Sequence, residues 1–472
     1  MEVRSQTFKE NAAQALADAQ LQRALRNVPL GFIDKRAKAK AKLPEFEALR
    51  EEARAIKDHT LAHLDLYLEH YERKVREAGG HVHYAETAAD ARAVILRLLA
   101  GLNAKSLTKG KSMVSEEIAL NEALESAGIA PVETDLGEYI IQLRGEYPSH
   151  IIAPAVHLNK DQIEADFRAV HRHLPADRRL DEGRSLVAEA RKVLREKFLA
   201  ADAGLTGANF LVAETGSSVI VTNEGNGDLT QILPRAHIVL TTVDRIVPTL
   251  EDVTTILRLL ARSATGQEFS SYTTLSTGPR RPGDPDGPGE YHVVILDNGR
   301  SGLLGTEYQD VLRCIRCGAC LNHCPVYQAV GGHAYGWVYP GPIGSVLTPA
   351  LVGIDRAAPL PNASTFCGRC EEVCPMKIPL PGMMRHWRER EFERHLSPAA
   401  QRWGLTGWAF LATRPWLYRL TTRLAARGLK LWAGEKGSAP RVPLAGGWTK
   451  HRDFPAPEGP TFMEQWKAGE HG

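Results

Sequence analysis

Apolar residues recur along this 472-residue chain in two rhythms. The first sixty residues are dominated by Ala, Leu, Lys, Arg and Glu and read as helix, with Pro29 and Gly31 as breaks. Helical spacing runs on through Leu61, Leu64, Leu66, Tyr67 and Leu68 to Arg76 and stops at Gly79-Gly80. Short apolar runs then alternate with helical ones. His81–Tyr84, Ile151–Ala153, Ala208–Ala213, Val219–Thr222, Ile238–Thr242 and Tyr291–Leu296 read as strands. Ala88–Leu99 reads as a helix with its apolar face at Ala91, Val94, Ile95, Leu98 and Leu99, and Glu116–Ala127 as another. This alternation predicts an α/β domain over residues 61–300. Thr277–Gly289, rich in Gly, Pro and charge, predicts a loop.

Beyond the α/β region the pattern turns basic and aromatic. Arg385, Arg388, Arg390 and Arg394 fall on a helical stretch. Trp403, Trp408, Phe410, Trp416, Leu417 and Tyr418 then interleave with Arg402, Arg414, Arg419, Arg423, Arg427 and Lys430, with Gly404 and Pro415 as interruptions. Such a face suits docking on a partner subunit or on the core. Lying in a membrane interface is the rival reading.

Composition narrows the class. Charged residues make up 24% and hydrophobic ones 43%, as in an ordinary globular protein of about two to four domains. A net charge of +2 argues against a nucleic-acid binder. No apolar stretch reaches the roughly 20 residues of a membrane span, and Met1–Lys9 lacks the apolar core of a signal peptide. A cytoplasmic protein is expected, with peripheral contact at the inner face of the membrane as the variant.

All seven cysteines fall between Cys314 and Cys374. Cys314, Cys317, Cys320 and Cys324 are spaced C-x2-C-x2-C-x3-C and followed by Pro325. Cys367, Cys370 and Cys374 repeat the phrase up to Pro375 without its first cysteine, and Ser364 stands where that residue would be. This is the bacterial ferredoxin spacing, in which the fourth cysteine of each run serves the other cluster. Cluster I is therefore expected on Cys314, Cys317, Cys320 and Cys374 as [4Fe–4S]. Cluster II is expected on Cys324, Cys367 and Cys370 as [4Fe–4S] or [3Fe–4S], with Ser364 either a fourth ligand or a helix cap. His323 and His333 are nearby candidates for the vacant place. Zinc prefers two separated C-x2-C pairs, and no cysteine lies elsewhere to staple another domain. Between the two runs, Gly331–Pro342 carries glycines and aromatics suited to covering clusters.

Other candidates are weaker. Gly110-Lys111-Ser112 ends like a phosphate-binding loop, but Lys105 stands where the first glycine should be. Gly225-Asn226-Gly227 lacks a third glycine and reads as a turn after Val219–Thr222. Glu133, Asp135, Glu138, His157 and Glu214 form a polar set that lines a pocket or a solvated rim.

Several phrases together resemble the lactate-utilisation (LUD-domain) iron–sulfur family: Lys111–Glu117, Glu133–Glu138, Pro148-Ser149-His150, Pro154–His157, Asp297–Arg300, Gly331–Pro342 and both cysteine runs with Ser364. The resemblance covers nearly the whole chain. It implies a LUD α/β domain over 61–300 similar to sugar-phosphate isomerases and CoA-transferases; beside it, the residue pattern gives a helical segment over 1–60, an α-helical ferredoxin-like two-cluster domain over 301–395 and a basic C-terminal tail over 396–472. It implies a part in oxidising L-lactate to pyruvate with companion lactate-utilisation proteins. The seven cysteines would be the cofactor-binding residues of an electron carrier, with a quinone, cytochrome or other acceptor. Two other readings stand beside it: a dehydrogenase that holds its substrate in the LUD domain, and a scaffold with structural clusters. No flavin or nicotinamide fingerprint is present, which favours the carrier, because lactate gives up two electrons and a cube takes one.

Overall fold

The computed structural model describes residues 2–442, 446–449 and 452–469. The chain divides into two compact units, the second beginning at Phe392.

The first unit is built on a six-stranded, wholly parallel sheet. Its strands are β1 (His81–Ala85), β2 (Ser106–Lys109), β3 (Ala130–Glu133), β4 (Ala203–Thr206), β7 (Ala236–Thr242) and β10 (Glu290–Leu296), in the order β1-β10-β7-β4-β2-β3. A second sheet of four strands joins β5 (Phe210–Val212), β6 (Ser217–Thr222), β8 (Ile246–Val247) and β9 (Tyr272–Ser276) in the order β8-β5-β6-β9. Every residue of β7 is buried. A strand covered on both faces reads as a continuous apolar run rather than an alternation, which is why β7 and β10 stand out in the sequence. Helix starts are fixed locally: Thr87 with Asp90 and Thr249 with Asp252 close reciprocal caps on Ala88–Gly101 and Leu250–Ala264.

Three expectations are corrected. Ile151–Ala153 is not a strand. The ring Nδ1 of His150 accepts the N–H groups of Ile152 and Ala153 at 2.9 and 3.1 Å, and Pro154 brings no N–H, so the segment has little left for a ladder. Glu116–Ala127 is two helices, Met113–Glu117 and Leu120–Ser126, because Ala119 turns the chain through a left-handed conformation (φ 52°). Pro29 and Gly31 do not break the N-terminal helix. The chain turns at Arg26-Asn27, and Pro29 lies in the first turn of the next helical run, where its missing N–H costs nothing. Thr277–Gly289 is a loop from β9 to β10.

The largest hydrophobic core runs from the N-terminal helices through the second sheet into the cysteine-bearing region, with Phe46, Val212, Val219, Leu259, Leu312 and Ile343 among its members. A buried ionic network reinforces that continuity. Arg300, just past β10, forms a fork–fork pair with Glu117 (2.9 and 2.6 Å) and reaches Asp244 at 3.3 Å. Asn298 donates to Glu117 at 2.7 Å, and Tyr339, from between the cysteine runs, donates to the same carboxylate at 2.5 Å. Arg316, between Cys314 and Cys317, donates to the Tyr339 hydroxyl and stacks over its ring at 4.5 Å. Burial alone would raise Glu117, but the Arg300 guanidinium holds its carboxyl below the usual range.

Removing one partner of such a pair strands a buried charge and costs about 3–5 kcal/mol. Arg300→Met should therefore lower stability by about that amount, read from the urea midpoint of anaerobically purified protein; an unchanged midpoint would contradict the network. Acid should also weaken the fold. Burial pushes His237, on β7, from 6.5 down to about 3. Below pH 6.5 the unfolded chain binds a proton there that the folded chain does not, so stability falls as pH drops toward 3. His237→Gln should remove about 2 kcal/mol of the loss between pH 7 and pH 5, measured from urea midpoints at the two pH values.

Candidate metal centres and the cavity beside them

The two cysteine runs are the same local structure used twice. In the first, Arg316 (φ 57°) and Gly318 (φ 72°) turn the chain before the short helix Ala319–Asn322. In the second, Phe366 (φ 54°) and Gly368 (φ 78°) do so before Arg369–Glu372. The Arg316 N–H points at Cys314 Sγ (3.4 Å), and the Phe366 N–H points at Ser364 Oγ (3.1 Å). Ser364 thus occupies the structural place of Cys314. It caps neither neighbouring helix: Pro359–Asn362 ends before it, and Gly368 precedes Arg369–Glu372. Pro325 opens the helix Pro325–Val330 directly after Cys324.

The thiols fall into two groups. Cys314, Cys317, Cys320 and Cys374 share one cavity with Ile343 and Leu380. Cys324, Cys367, Cys370 and Ser364 share another with Pro325 and Pro342. Each group takes one cysteine from the other run, so the two cavities are neighbours by construction. Burial pushes Cys317 and Cys370 up to about 12 and Cys374 to about 11. Buried thiols crowded together become thiolates only against strong positive charge, which iron supplies. Backbone N–H groups also turn on the sulfurs, as from Ile378 to Cys374 at 3.5 Å. Arg36 and Arg50, from the N-terminal helices, bind the carbonyls of Val373 and Cys374 at 2.8 and 2.7 Å and bring positive charge beside the first group. The Tyr335 hydroxyl is buried with no nitrogen or oxygen partner among the described residues; it turns toward the Cys324 thiol and lies within electrostatic reach of Cys320 and Cys370. Its acceptor is sulfur, the kind a thiolate-bound cluster offers. The donor set and this buried hydroxyl both fit iron–sulfur cubes.

His323 Nδ1 donates to Ala319 O at 2.9 Å, and His333 Nε2 donates to Tyr147 O at 2.7 Å. Neither lines a cysteine cavity. The Gly331–Pro342 run covers the centres in part: Pro342 lines the second cavity and Tyr339 enters the ionic network. Gly332 is required by contact, since a Cβ there would lie 1.7 Å from Ser149 O. His150, adjacent to Ser149, backs the first cysteine turn. Its Nδ1 accepts two N–H groups, so Nε2 donates to Asn322 at 2.9 Å, and burial lowers the ring to about 4.

The polar candidates separate. Glu133 is buried beside Lys109, which pairs with it at 2.6 Å and with Glu116 at 2.8 Å, and Glu138 is buried within electrostatic reach of Glu133 and Glu116, with burial raising its carboxyl. Asp135 caps the helix Leu136–Arg144. His157 pairs with Glu146 and Ser149, and Glu214 accepts the Leu250 N–H at 3.0 Å, so both are structural. At the carboxyl ends of the parallel strands lies a cavity of about 410 Å³. Gly110-Lys111-Ser112 after β2, Asp135 after β3, Gly207–Asn209 after β4 and Arg245 after β7 all line it. Open α/β sheets bind ligands at this end. Ile315 and Arg316, from inside the first cysteine run, complete the wall. Arg245 and Arg316 carry no sequence signal for this role; only the strand-end rule would have found the first.

In the second unit the helices Ala399–Ala412 and Pro415–Ala433 pack together. Gly404 sits within the first without interrupting it, and Pro415 opens the second. Trp403, Trp408 and Trp416 are 77%, 63% and 68% exposed, which leaves an aromatic–basic surface. No helix among the described residues is long and apolar enough to cross a membrane.

A parallel α/β domain joined to two thiol-lined centres defines an iron–sulfur protein of the LUD-domain class. Family descriptions agree: a LUD domain matches residues 68–296, a 4Fe-4S dicluster domain 310–378, and the C-terminal region of lactate utilisation protein B 384–471. Lactate utilization protein B of Macrococcus caseolyticus is 44% identical over 98% of this chain and 97% of its own length. The Bacillus licheniformis protein of that name is 43% identical over 98% and 97%. The chain belongs to the lactate utilization protein B family. A crystal structure of a duf162 family protein from Deinococcus radiodurans aligns over 49% of this chain and 98% of its own at 16% identity, with a TM-score of 0.28.

Ser364→Cys should convert the second centre to four thiolates. The electron paramagnetic resonance signal of one cluster should change while the other stays as it was, with iron and sulfide counted in parallel. An unaltered spectrum would separate Ser364 from the metal.

Proposed function

We propose that this protein is the iron–sulfur electron-transfer subunit in the oxidation of L-lactate to pyruvate. In this reading Cys314, Cys317, Cys320 and Cys374 hold cluster I as [4Fe–4S]. Cys324, Cys367 and Cys370 hold cluster II as [4Fe–4S] or [3Fe–4S], with Ser364 at its fourth corner. The clusters supply one-electron carriage, and two of them match the two electrons that lactate releases. The observation that carries the reading is the crossed grouping of thiols in two adjacent cavities, since adjacency is what a relay needs. Family membership supplies the lactate context.

The chain's own residues have definable tasks. Arg36 and Arg50 offset the negative charge of a thiolate-bound cluster at the Cys374 end. Leu380 and Ile343 keep water from the sulfurs of cluster I. The exposed tryptophans of the second unit are assigned to docking a companion protein or the acceptor, with the inner face of the membrane as the rival surface. The likeness of the LUD domain to sugar-phosphate isomerases and CoA-transferases belongs to the same reading, supported by the parallel sheet and the cavity at its carboxyl end.

One observation favours a second reading, in which this chain itself oxidises the substrate: the cavity of the LUD domain reaches the Cys314–Cys317 peptide. The two are separable. Cluster-loaded protein alone, given L-lactate anaerobically, should keep its oxidised visible spectrum and bleach only when the companion proteins are added. Turnover of lactate with an artificial acceptor by the chain alone would move the function to the second reading.

A further inference from the structure

The cavity at the strand ends has a wall that the electron-carrier reading leaves without a task. Arg245, 5% exposed, keeps Nη2 without a hydrogen-bond partner among the described residues, and Arg316 keeps Nε without one. The nearest carboxylate oxygen to Arg245 is that of Asp244 at 3.6 Å, too far for a hydrogen bond, and Asp244 is also engaged by Arg300. Among the described residues, Lys57, Arg245, Arg300 and Arg316 face the carboxylates of Asp244 and Glu117, with the Cys314 thiol beyond: four cations against two carboxylates. A negative cluster beyond Cys314 answers part of that excess. It does not account for two arginines standing together on the wall of one cavity.

We infer that this cavity is a binding site for a small oxyanion, a carboxylate or a phosphate, held by the guanidinium groups of Arg245 and Arg316. Guanidinium forks match both anions in geometry and charge. The remaining wall fits a small organic body. Ile152, Met113 and Ile220 are apolar, whereas Lys111, Asp135 and Glu224 form a second polar group that can bind a hydroxyl. The volume of about 410 Å³ lies within the range of about 300–1,000 Å³ usual for small-molecule sites. The inference goes beyond the electron-carrier reading and stands whether or not this chain turns substrate over. It makes the LUD domain a ligand sensor or holder placed against cluster I.

The test uses the cluster-loaded full chain under anaerobic conditions, titrated calorimetrically with pyruvate, L-lactate and inorganic phosphate in turn. At least one should bind saturably, one per chain. Binding of the carboxylates alone identifies an organic acid as the source, and binding of phosphate alone a phosphate compound. Arg245→Gln should weaken that affinity at least tenfold, and Arg245→Lys should restore part of it by keeping the charge without the fork. Hydrogen exchange on the wild-type chain guards against a misfolded variant: the same ligand should slow exchange in 207–209 and 222–227. The inference is overturned if none of the three probes binds, if binding leaves those segments unprotected, or if a folded Arg245→Gln chain binds as tightly as the wild type.

Discussion

The carboxylate of Glu117 is where this molecule is tied together. It sits at the end of the short helix after β2 and is gripped by Arg300 from the end of β10, by Asn298 beside it, and by Tyr339 from between the cysteine runs. Three stretches that are far apart in sequence meet on one buried anion. A buried ion pair adds little stability over a well-packed apolar pair, but breaking it is costly. Its effect here is on register: it fixes the first cysteine turn against the carboxyl end of the sheet, because Tyr339 also carries Arg316 on its ring and hydroxyl.

That fixed register gives the cysteine region its shape. Two copies of one turn, each with a positive-φ pair, present their donors toward neighbouring cavities. Substitution of the first thiol by Ser364 keeps the backbone interaction, N–H to oxygen in place of N–H to sulfur. The architecture of a four-donor site therefore survives where the chemistry has changed. Oxygen is a harder and poorer donor to iron in a sulfide cube than thiolate, and the same group holds Cys367, the exposed one of the seven cysteines.

What was legible in the sequence follows from how local the physics is. The thiol groups could be read because i, i+3, i+6 spacing is itself the binding geometry, and proline marks each exit. β7 and β10 could be read because buried parallel strands are apolar throughout. β2, β3 and β4 could not: they are four residues long and carry Lys109, Glu133 and Gly204, polar or small residues placed by the buried ion group and by close packing. In β4, a Cβ on Gly204 would meet Thr230 O at 1.9 Å. Ile151-Ile152 misled in the opposite direction. Its apolar character serves the walls of the cysteine cavity and of the strand-end cavity rather than a strand. Arg245 was invisible because a lone arginine in a Val-Asp-Arg-Ile run carries no spacing, and only the topology brings it opposite Arg316.

Ile151, Ile315 and Arg316 line both the strand-end cavity and the first cysteine cavity. One peptide therefore has a ligand site on one side and a redox centre on the other. An anion bound at Arg316 would offset positive charge beside the cluster and make its reduction harder. Linkage requires the converse: adding an electron to the cluster must weaken the same anion's affinity by the same factor. An oxidised centre would hold the ligand and a reduced one would release it, with no movement of the fold. The buried network around Glu117 keeps that coupling short, since it holds the Arg316 side chain in place through Tyr339 while the charge on either side changes.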